Sequence, residues 1–345
     1  MALNKNDLIT LAKTVAKADP SSKVAYSYNG AELTYSAMNE TLRSELKELA
    51  STYRLYEENK NTIFALIEET ISDVLPKKVL EQYGMFAEVK TFAQGDKPRF
   101  TQKITTAARR RAKQFITRVG LAGVYEVFKL DGKYIDVTTE AWGGAAQIGF
   151  EEFLDGRVDF ADLIDVVMEG LDEAVYKEIA KALIASVETM QGANKATETQ
   201  FVETEMDRLI SIADSYGKAT IYCTYEFAAT MVPSTGWISD NMKDQRWNNG
   251  YLANYKGHNV IVLEQSYEDE TNTVKVIDPS YAWIIPGGDY KPVKIAFEGP
   301  TAVKEVDNED WSKEMRVYKK FGVATLITNN VCVYRNTSLT TGGSI

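Results

Sequence analysis

The sequence predicts an α+β fold, and three observations support that class. Apolar residues recur at helical spacing in residues 1–85 and again over 158–190, which is typical of amphipathic helices. Apolar and polar residues alternate on either side of Asp131-Gly132, as they do in a β-hairpin. A long alternating run over 313–335 predicts a further strand near the end of the chain.

Residues 1–85 are predicted to form three helices, and Pro76 is predicted to end the third, because proline has no N–H group and restricts the residue before it. Residues 21–30 are predicted to be an extended loop. Helices with so little between them form either a small compact domain or an arm that lies over other surfaces. Their apolar positions are Leu8, Leu11, Ala12 and Val15, then Leu42, Leu46 and Leu49, then Ile63, Ile67, Ile71 and Leu75.

Residues 86–150 change character and predict an extended β-hairpin excursion with little core of its own. Phe86–Phe92 alternates like a strand and is followed by a turn. Val124–Leu130 and Lys133–Val137 alternate as well, and the Asp131-Gly132 pair between them is a strong hairpin signal. The residues between the outgoing and returning strands form an insert.

The second half of the chain begins with the clearest helix, over 158–190, which spans roughly 45 Å at 1.5 Å per residue. Asp159 is predicted to cap its N-terminus, and a second helix over 198–216 is predicted to end at Gly217. Residues 218–300 are predicted to mix strands with helical turns near 226–231. The strands are expected at 219–225, 259–264, 274–278 and 292–298, and the strand over 313–335 is interrupted at Asn329-Asn330.

The charge distribution is uneven. The chain has a formal net charge of −10, yet residues 97–125 contain no acidic residue. Without the eight basic residues of this segment, 31 basic residues remain against 49 acidic ones, so the rest of the chain carries about −18. The eight are Lys97, Arg99, Lys103, Arg109, Arg110, Arg111, Lys113 and Arg118.

Three roles are open for this basic segment. It could be a solvated basic face, a nucleic-acid contact, or a clamp on an acidic neighbouring subunit. Nucleic acid is disfavoured by the acidic chain and by the few stacking candidates, which are Phe100, Phe115 and Tyr125. The clamp is favoured because arginine forms bidentate pairs with carboxylates.

Composition excludes several classes of protein. A hydrophobic fraction of 44% is that of a folded globular chain. The N-terminus does not resemble a signal peptide, and no apolar run approaches the roughly 20 residues that span a bilayer, so we expect a soluble protein made in a cytoplasm. Cys223 and Cys332 lie in strand-like stretches and are expected to be buried, reduced and inert.

No catalytic or cofactor-binding motif is present, so the sequence predicts neither an enzyme nor a cofactor or metal site. His258, the only histidine, could act as a base for Cys223, but a surface turn just before a strand is the preferred interpretation. The acidic runs at 268–270 and 307–310 lack the ligand spacing of a calcium loop and are expected to be solvated.

In the order of its parts, the sequence resembles the major capsid proteins of tailed bacteriophages. The resemblance covers about residues 86–335 and depends on order and spacing rather than on one diagnostic motif. Its segments are Phe86–Phe92, the excursion that returns by about Phe150, Gln147–Gly156 before the 158–190 helix, Gly250–Val262, Ile277–Gly288 and Arg316–Arg335.

The resemblance implies an organisation into four parts. Residues 1–85 would be an N-terminal helical arm, and 86–150 would be an extended loop that carries the eight basic residues as a subunit contact. Residues 151–217 and 306–336 would form a peripheral domain around a long spine helix. Residues 218–305 would form an axial domain.

The resemblance also implies a function. Copies of the chain would self-assemble into hexamers and pentamers of an icosahedral shell around double-stranded DNA, first in the host cytoplasm and then in the virion. Further partners would be scaffolding, portal and decoration proteins, with packaged DNA held without specific binding and no membrane involved. Some relatives join subunits by a Lys–Asn bond, but although Lys97 and Lys103 lie on the loop, no asparagine can be assigned as their partner.

Encapsulin-like nanocompartment shells share this fold and are the alternative. The helical arm and the large basic insert favour a phage capsid, whereas a neighbouring gene for a cargo enzyme would favour an encapsulin. An enzyme would require an activity that depends on His258 or Cys223.

Overall fold

Two β-sheets packed against long helices make up the structure. The computed structural model describes residues 5–17, 26–28, 31–102, 133–147, 160–232, 239–269, 271–288, 291–307, 313–327 and 330–339. The α-helices in this part of the chain are α1 (Lys5–Val15), α2 (Tyr35–Leu49), α3 (Tyr53–Tyr83), α4 (Phe160–Thr189), α5 (Glu203–Asp214), α6 (Tyr225–Thr230) and α7 (Asp240–Asn249). Short 3-10 helices lie at Gly192–Asn194 and Thr337–Leu339.

The strands form two larger sheets and two short ribbons. They are β1 (Tyr26–Tyr28), β2 (Ala31–Leu33), β3 (Ala87–Phe92), β4 (Arg99–Gln102), β5 (Lys133–Asp136), β6 (Glu140–Gln147), β7 (Lys195–Glu198), β8 (Ala219–Thr224), β9 (Asn254–Tyr255), β10 (His258–Leu263), β11 (Tyr281–Pro286), β12 (Val293–Asp307), β13 (Lys313–Thr325) and β14 (Cys332–Asn336). The ribbons are β1–β2 and β4–β5.

The four-stranded sheet has the order β3-β12-β13-β6 and is built around one long antiparallel pair. β12 and β13 pair from Val293 opposite Thr325 to Asp307 opposite Lys313. β3 lies parallel to β12 on one side, and β6 lies antiparallel to β13 on the other. The two strands that flank the excursion, β3 and β6, are therefore the edges of this sheet.

β12 bulges between Glu298 and Ala302, where its register against β13 shifts. Gly299 occupies the bulge with φ +65°, a conformation that favours glycine. The Gly299 carbonyl accepts a 2.6 Å hydrogen bond from Nζ of Lys319, a β13 residue that is only 1% exposed. The bulge therefore holds a lysine inside the protein.

Helix α3 provides acceptors for backbone N–H groups next to this bulge. The N–H of Thr301 donates to Oγ of Ser72 at 2.8 Å, and the N–H of Val303 donates to Oε1 of Glu68 at 2.7 Å. Buried backbone donors without a partner are costly. These bonds therefore fix the helix to the sheet at one position along its length.

The six-stranded sheet has the order β7-β14-β11-β8-β10-β9. β8 pairs parallel with β10 and antiparallel with β11, and β14 pairs antiparallel with β11 and parallel with β7. All six residues of β11 are buried. The predicted strand over 313–335 is thus two strands, β13 and β14, which belong to different sheets.

Both faces of the six-stranded sheet are covered. Tyr222 and Trp283 point into the main core, which also holds apolar residues of α1–α4. Ile221 and Ile284, one residue away in each strand, join a second core with Leu209 of α5. This period of two is the geometry of a strand that is buried on both faces.

The predicted end of the third helix at Pro76 is wrong, because α3 continues through Pro76 to Tyr83. An interior proline costs about 3 kcal/mol. Beside it, Ile71, Leu75 and Val79 are fully buried, and each such side chain contributes roughly 1.5–3 kcal/mol. Packing therefore outweighs the local cost.

Helices α1–α3 share the main core with both sheets, so in the folded chain they lie on its own surfaces. The long helix predicted over 158–190 is confirmed as α4, which packs against β13 and α3. The proposed cap at Asp159 lies outside the described residues. None of the helices that the structure describes is long and apolar enough to cross a membrane.

The helix predicted over 198–216 is shorter than expected. Residues 195–198 pair with β14 as strand β7, and α5 ends at Asp214, with Ser215 as its C-cap. Gly217 does not cap the helix. A Cβ atom there would lie 2.4 Å from the carbonyl oxygen of Gly287, so the close approach of two backbones explains the glycine.

The strand predicted at 274–278 does not form, since the described residues there make one isolated bridge, between Tyr267 and Lys275. The strand predicted at 292–298 extends to Asp307 because the bulge lets pairing with β13 resume. Residues 26–28, within the loop predicted over 21–30, instead form strand β1 and pair with residues 31–33 in the ribbon β1–β2. The strands predicted at 219–225 and 259–264 and the helical turn near 226–231 are confirmed.

Lys319 gives the fold a testable pH dependence. Burial lowers the pKa of its ammonium group to about 8, from about 10.4 in an unfolded chain. Between these values the unfolded chain binds more protons, so the free energy of unfolding rises with pH. We expect wild type to gain stability relative to Lys319→Met as pH rises from 8 to 10.4, measured by urea denaturation.

The same series with Lys304→Met, an exposed lysine of β12, serves as the control. If the difference in the free energy of unfolding between wild type and Lys319→Met stayed constant across this pH range, the lowered pKa of Lys319 would be contradicted.

Candidate assembly interface

The root of the excursion is the ribbon β4–β5, which leaves and re-enters the body side by side. Arg99 lies opposite Asp136, and Gln102 lies opposite Lys133. Residues 103–132 connect these strands and lie outside the described residues. They include the rest of the hairpin predicted at Asp131-Gly132 and six of the eight basic residues, namely Lys103, Arg109, Arg110, Arg111, Lys113 and Arg118.

The other two basic residues, Lys97 and Arg99, pair with Asp136 of the same chain. Nζ of Lys97 lies 2.7 Å from Oδ2, and Arg99 donates from Nε to Oδ1 at 2.7 Å and from Nη2 to Oδ2 at 3.3 Å. Hydrogen bonds from Arg99, then from Lys97, hold the pKa of Asp136 at about 2. The Arg99 guanidinium also lies 4.3 Å from the ring centroid of Tyr134. These cations hold the two strands of the root together.

Phe100 anchors the root on the four-stranded sheet. Its ring is fully buried, makes an edge-to-face contact with Phe92 at 5.7 Å, and packs in a small core with Val137. Nζ of Lys90 lies 4.9 Å from the ring centroid, and Nζ of Lys294 lies 5.9 Å from it. Phe100 is therefore not available to stack on a nucleic-acid base.

Glu298 ties together the two turns beside the root. Its carboxylate accepts hydrogen bonds from Oγ1 of Thr139, which follows β5, and from the N–H of Gly95 at 3.1 Å, which follows β3. Both bonds lower the pKa of Glu298, and the bond from Thr139 has the larger effect. The start of the excursion is thus fixed at three points: Asp136, Phe100 and Glu298.

A second candidate surface is a groove of about 640 Å³ between the end of α3, the middle of α4 and the six-stranded sheet. Its floor is aromatic. Tyr83 of α3 and Tyr176 of α4 stack at 5.5 Å with an angle of 18° between their rings, and Phe86 packs edge-to-face on Tyr222. Tyr176 donates to the carbonyl oxygen of Glu264 at 2.6 Å, and burial raises the pKa of both Tyr83 and Tyr176.

The walls of the groove are acidic. Asp172 is half-buried, and burial raises the pKa of its carboxyl group. The Gln82 side chain, with its nitrogen towards Asp172, donates to both carboxylate oxygens at 3.0 and 2.9 Å. Glu169, Glu173 and Glu264 are the other acids of the lining, and among the described residues that line the groove there is no lysine or arginine.

Helix α7 presents a third surface. None of its described side chains is buried, and Trp247 is 89% exposed. Ser239 caps its first turn through Oγ, and Gly250 ends it in the left-handed conformation at φ +78°. The caps explain a helix with no packed face, but they do not explain an exposed tryptophan, which is typical of an interface anchor.

The residues weighed as catalytic lie apart. Contrary to the prediction of a surface turn, His258 is half-buried: Nδ1 lies 3.2 Å from the carbonyl oxygen of Ala219, and Nε2 lies 3.4 Å from Oδ2 of Asp214. Cys223 lies opposite Val262, which is four residues along β10 from His258. The two residues weighed as nucleophile and base are therefore about 13 Å apart.

The two cysteines are buried and free, as predicted. Burial raises the pKa of both thiols, Cys223 and Cys332, to about 12, so they are protonated near neutral pH. In the ranges that the structure describes, no group of three or more His, Cys, Asp or Glu side chains could hold a metal ion.

The acidic run at 268–270 follows the groove along the chain. Asp269 accepts hydrogen bonds from the N–H groups of Thr273 and Val274, at 2.9 and 2.6 Å, so it shapes its own turn. Glu268 lies 3.7 Å from Nζ of Lys177, which also lies 3.5 Å from Glu173. Glu270 and residues 308–310 of the other acidic run lie outside the described residues.

Sequence reasoning missed both the groove and Trp247. The groove acids lie on α4 and after β10, about 95 residues apart, and no spacing rule connects them. Trp247 carries a signal in retrospect: it is a tryptophan within the otherwise polar helix DNMKDQRWNN.

The chain is a phage capsid protein. It belongs to the family described as "SPbeta prophage-derived putative capsid protein YonB", whose model matches residues 7–334. This membership points to a structural protein of the virion rather than to an enzyme. No curated protein matches the chain.

Solved structures show similarity at low sequence identity. The head structure of Helicobacter pylori bacteriophage KHP40 is 13% identical, with a TM-score of 0.47 over 74% of this chain and 90% of that chain. The capsid of the cyanophage P-SCSP1u is 9% identical, with a TM-score of 0.47 over 74% and 87%. The SrpI encapsulin complex from Synechococcus elongatus PCC 7942 is 9% identical, with a TM-score of 0.40 over 62% and 79%. Since these scores lie below 0.5, the family match alone carries the assignment.

The root of the excursion leads to a prediction. The low pKa of Asp136 means that its ion pairs stabilise the folded chain above about pH 4, the unfolded value, and lose this effect as pH falls towards 2. We expect Asp136→Asn to destabilise the protein at pH 7 and to approach wild-type stability below pH 3, measured by denaturant unfolding.

The matched control is Asp240→Asn, because Asp240 pairs with Lys243 on the exposed helix α7 rather than across the root. An Asp136→Asn variant as stable as wild type at pH 7 would contradict the role of these ion pairs.

Proposed function

We propose that this chain is the major capsid subunit and that its copies assemble into hexamers and pentamers of an icosahedral shell around double-stranded DNA. The observation that carries this proposal is the family match over residues 7–334. Assembly takes place in the host cytoplasm, and the finished shell is part of the virion.

The distribution of charge supports a contact between copies. The chain contains an acid-free segment with eight basic residues, whereas its remainder carries about −18. Contact between unlike surfaces of identical subunits runs head to tail and closes into rings when the rotation fits. Opposite charges on the two surfaces then select the orientation of each subunit. An acidic body also limits adhesion to packaged DNA, which it holds without specific binding.

The proposed parts of the subunit are an arm (1–85), an extended loop (86–150), a peripheral domain (151–217 and 306–336) and an axial domain (218–305). The axial domain provides β8, β9, β10 and β11, whereas β7 and β14 join the same sheet from the peripheral segments. Scaffolding, portal and decoration proteins are further proposed partners.

The direct test is electron microscopy of the purified protein, expressed alone, with its size-exclusion profile. We expect closed shells or rings of five and six subunits. A monomer, both alone and after co-expression with neighbouring genes, would contradict the proposal. Shells that enclose a specific enzyme would instead support the nanocompartment alternative.

Charge reversal tests the basic segment. We expect Arg109→Glu/Arg110→Glu/Arg111→Glu to abolish or misdirect assembly, because like charges then meet across the contact, while circular dichroism shows a folded monomer. The control reverses three exposed lysines elsewhere, Lys5, Lys47 and Lys304. Normal shells from the arginine variant would contradict a role in subunit contact.

Trp247 tests the exposed helix α7. We propose that its indole packs against a neighbouring copy, since buried aromatic anchors dominate many interfaces. Trp247→Ala should change monomer stability by less than about 0.5 kcal/mol, as expected for a surface site, but should raise the protein concentration needed for assembly, measured by light scattering.

Trp142→Ala is the matched comparison, because Trp142 stacks on Phe321 at 5.4 Å inside the subunit and should lower stability instead. Assembly of Trp247→Ala at the wild-type concentration would show that α7 lies outside the contact.

A further inference from the structure

The groove beside Tyr83 and Tyr176 has the chemistry of a site for an arginine-rich segment. It is lined by four carboxylates and no cation among the described residues, and its floor presents stacked tyrosine rings. Arginine pairs with carboxylates through two parallel hydrogen bonds and stacks on aromatic faces. A lysine-rich or acidic ligand would use these features less well.

Two of these carboxylates, those of Glu169 and Glu264, are exposed and have no ion pair within the described part of the chain. The other two are partly engaged. Asp172 accepts hydrogen bonds from Gln82, and the charge of Lys78 favours its ionised form. Glu173 lies 3.5 Å from Nζ of Lys177. Glu169 and Glu264 are therefore the acids that an incoming cation would meet first.

The groove also contains polar atoms without partners. Oε1 of Gln265 and Oγ of Ser266, both in its lining, are buried and have no hydrogen-bond partner. Buried acceptors of this kind are expensive to leave unpaired. Met85, at the rim, is 64% exposed, so an apolar contact is available beside them. These two oxygen atoms thus lack a donor, whereas a guanidinium group carries five.

We propose that this groove receives the Arg109-Arg110-Arg111 run of a second copy of the chain. The inference rests on the proposed function and names the surface that the basic segment contacts. Within the chain, the arginine run is the densest cluster of donors in a segment without any acid. The negative charge and unpaired acceptors of the groove thus match the positive charge and donors of the arginine run.

The position of the groove favours a neighbouring copy over the chain's own segment. The groove begins at Phe86, immediately before β3, whereas the excursion leaves the sheet after Phe92 at the other end of that strand. Six strand residues separate the two by about 20 Å. A basic segment that leaves the sheet at one end of β3 and an acidic groove at the other end allow a head-to-tail contact between copies.

The first test reverses the charge of the groove and then restores opposite charges across the contact. Glu169→Arg/Glu264→Arg should lose particles while remaining a folded monomer. Combining it with Arg109→Glu/Arg110→Glu/Arg111→Glu should recover particles, because opposite charges then face each other again. Glu188→Arg/Glu48→Arg makes the same change in charge at exposed sites away from the groove and should assemble normally.

The second test measures contact directly. In the assembled protein, Met85→Cys/Arg110→Cys should form disulfides between copies on mild oxidation and give a ladder of linked subunits on non-reducing gels. The native cysteines are buried and do not interfere. Met85→Cys/Arg54→Cys, in which the second cysteine lies on α3, is the control and should give no ladder.

The outcomes separate the two proposals. Normal particles from Glu169→Arg/Glu264→Arg, failure of the combined variant to recover, or a disulfide only within one chain would each overturn docking in the groove and leave the capsid function standing. If wild type forms no particles, either alone or after co-expression with neighbouring genes, the proposed function fails, and the disulfide between copies in concentrated solution still decides the docking.

Discussion

The bulge in β12 is the constraint on which the rest of the structure depends. It interrupts the ladder of the β12–β13 pair at Gly299 and exposes backbone groups that need partners inside the protein. Lys319 binds the Gly299 carbonyl, and Ser72 and Glu68 of α3 accept from the N–H groups that follow. These bonds fix α3 to the sheet at Glu68 and Ser72, and the burial of Leu75 and Val79 keeps the chain helical through Pro76 to Tyr83.

Two of the three candidate surfaces, the root of the excursion and the groove, follow from that arrangement. The continued helix brings Tyr83 to Tyr176 of α4, and together they form the floor of the acidic groove. At the other end of β3, Glu298 at the bulge binds both turns beside the excursion. One backbone irregularity thus supports both a fixed root for a basic segment and, some 20 Å away, an acidic receptor. Identical subunits with such a pair of surfaces are suited to head-to-tail rings.

Local sequence patterns were sufficient for much of the fold and for little of the site. Helix α4 and strands β3, β8 and β10 could be predicted because their apolar periodicity reflects burial directly. The end of α3 could not, because the proline signal at Pro76 is local whereas the packing that outweighs it is not. Strand β11 lacks alternation, since both of its faces are buried. The basic segment was visible as a run of charge, but its acidic counterpart combines Glu169 with Glu264, which only the fold brings together.

The central claim is that copies of this chain form a shell in which the basic segment of one subunit contacts the acidic groove of the next. The most direct measurement is a cryo-electron microscopy reconstruction of the assembled particle in which residues 103–132 can be traced. The account predicts that Arg109–Arg111 of one subunit lie against Glu169 and Glu264 of its neighbour. An empty groove, with the arginine run facing the interior of the particle or lying on its own subunit, would contradict it.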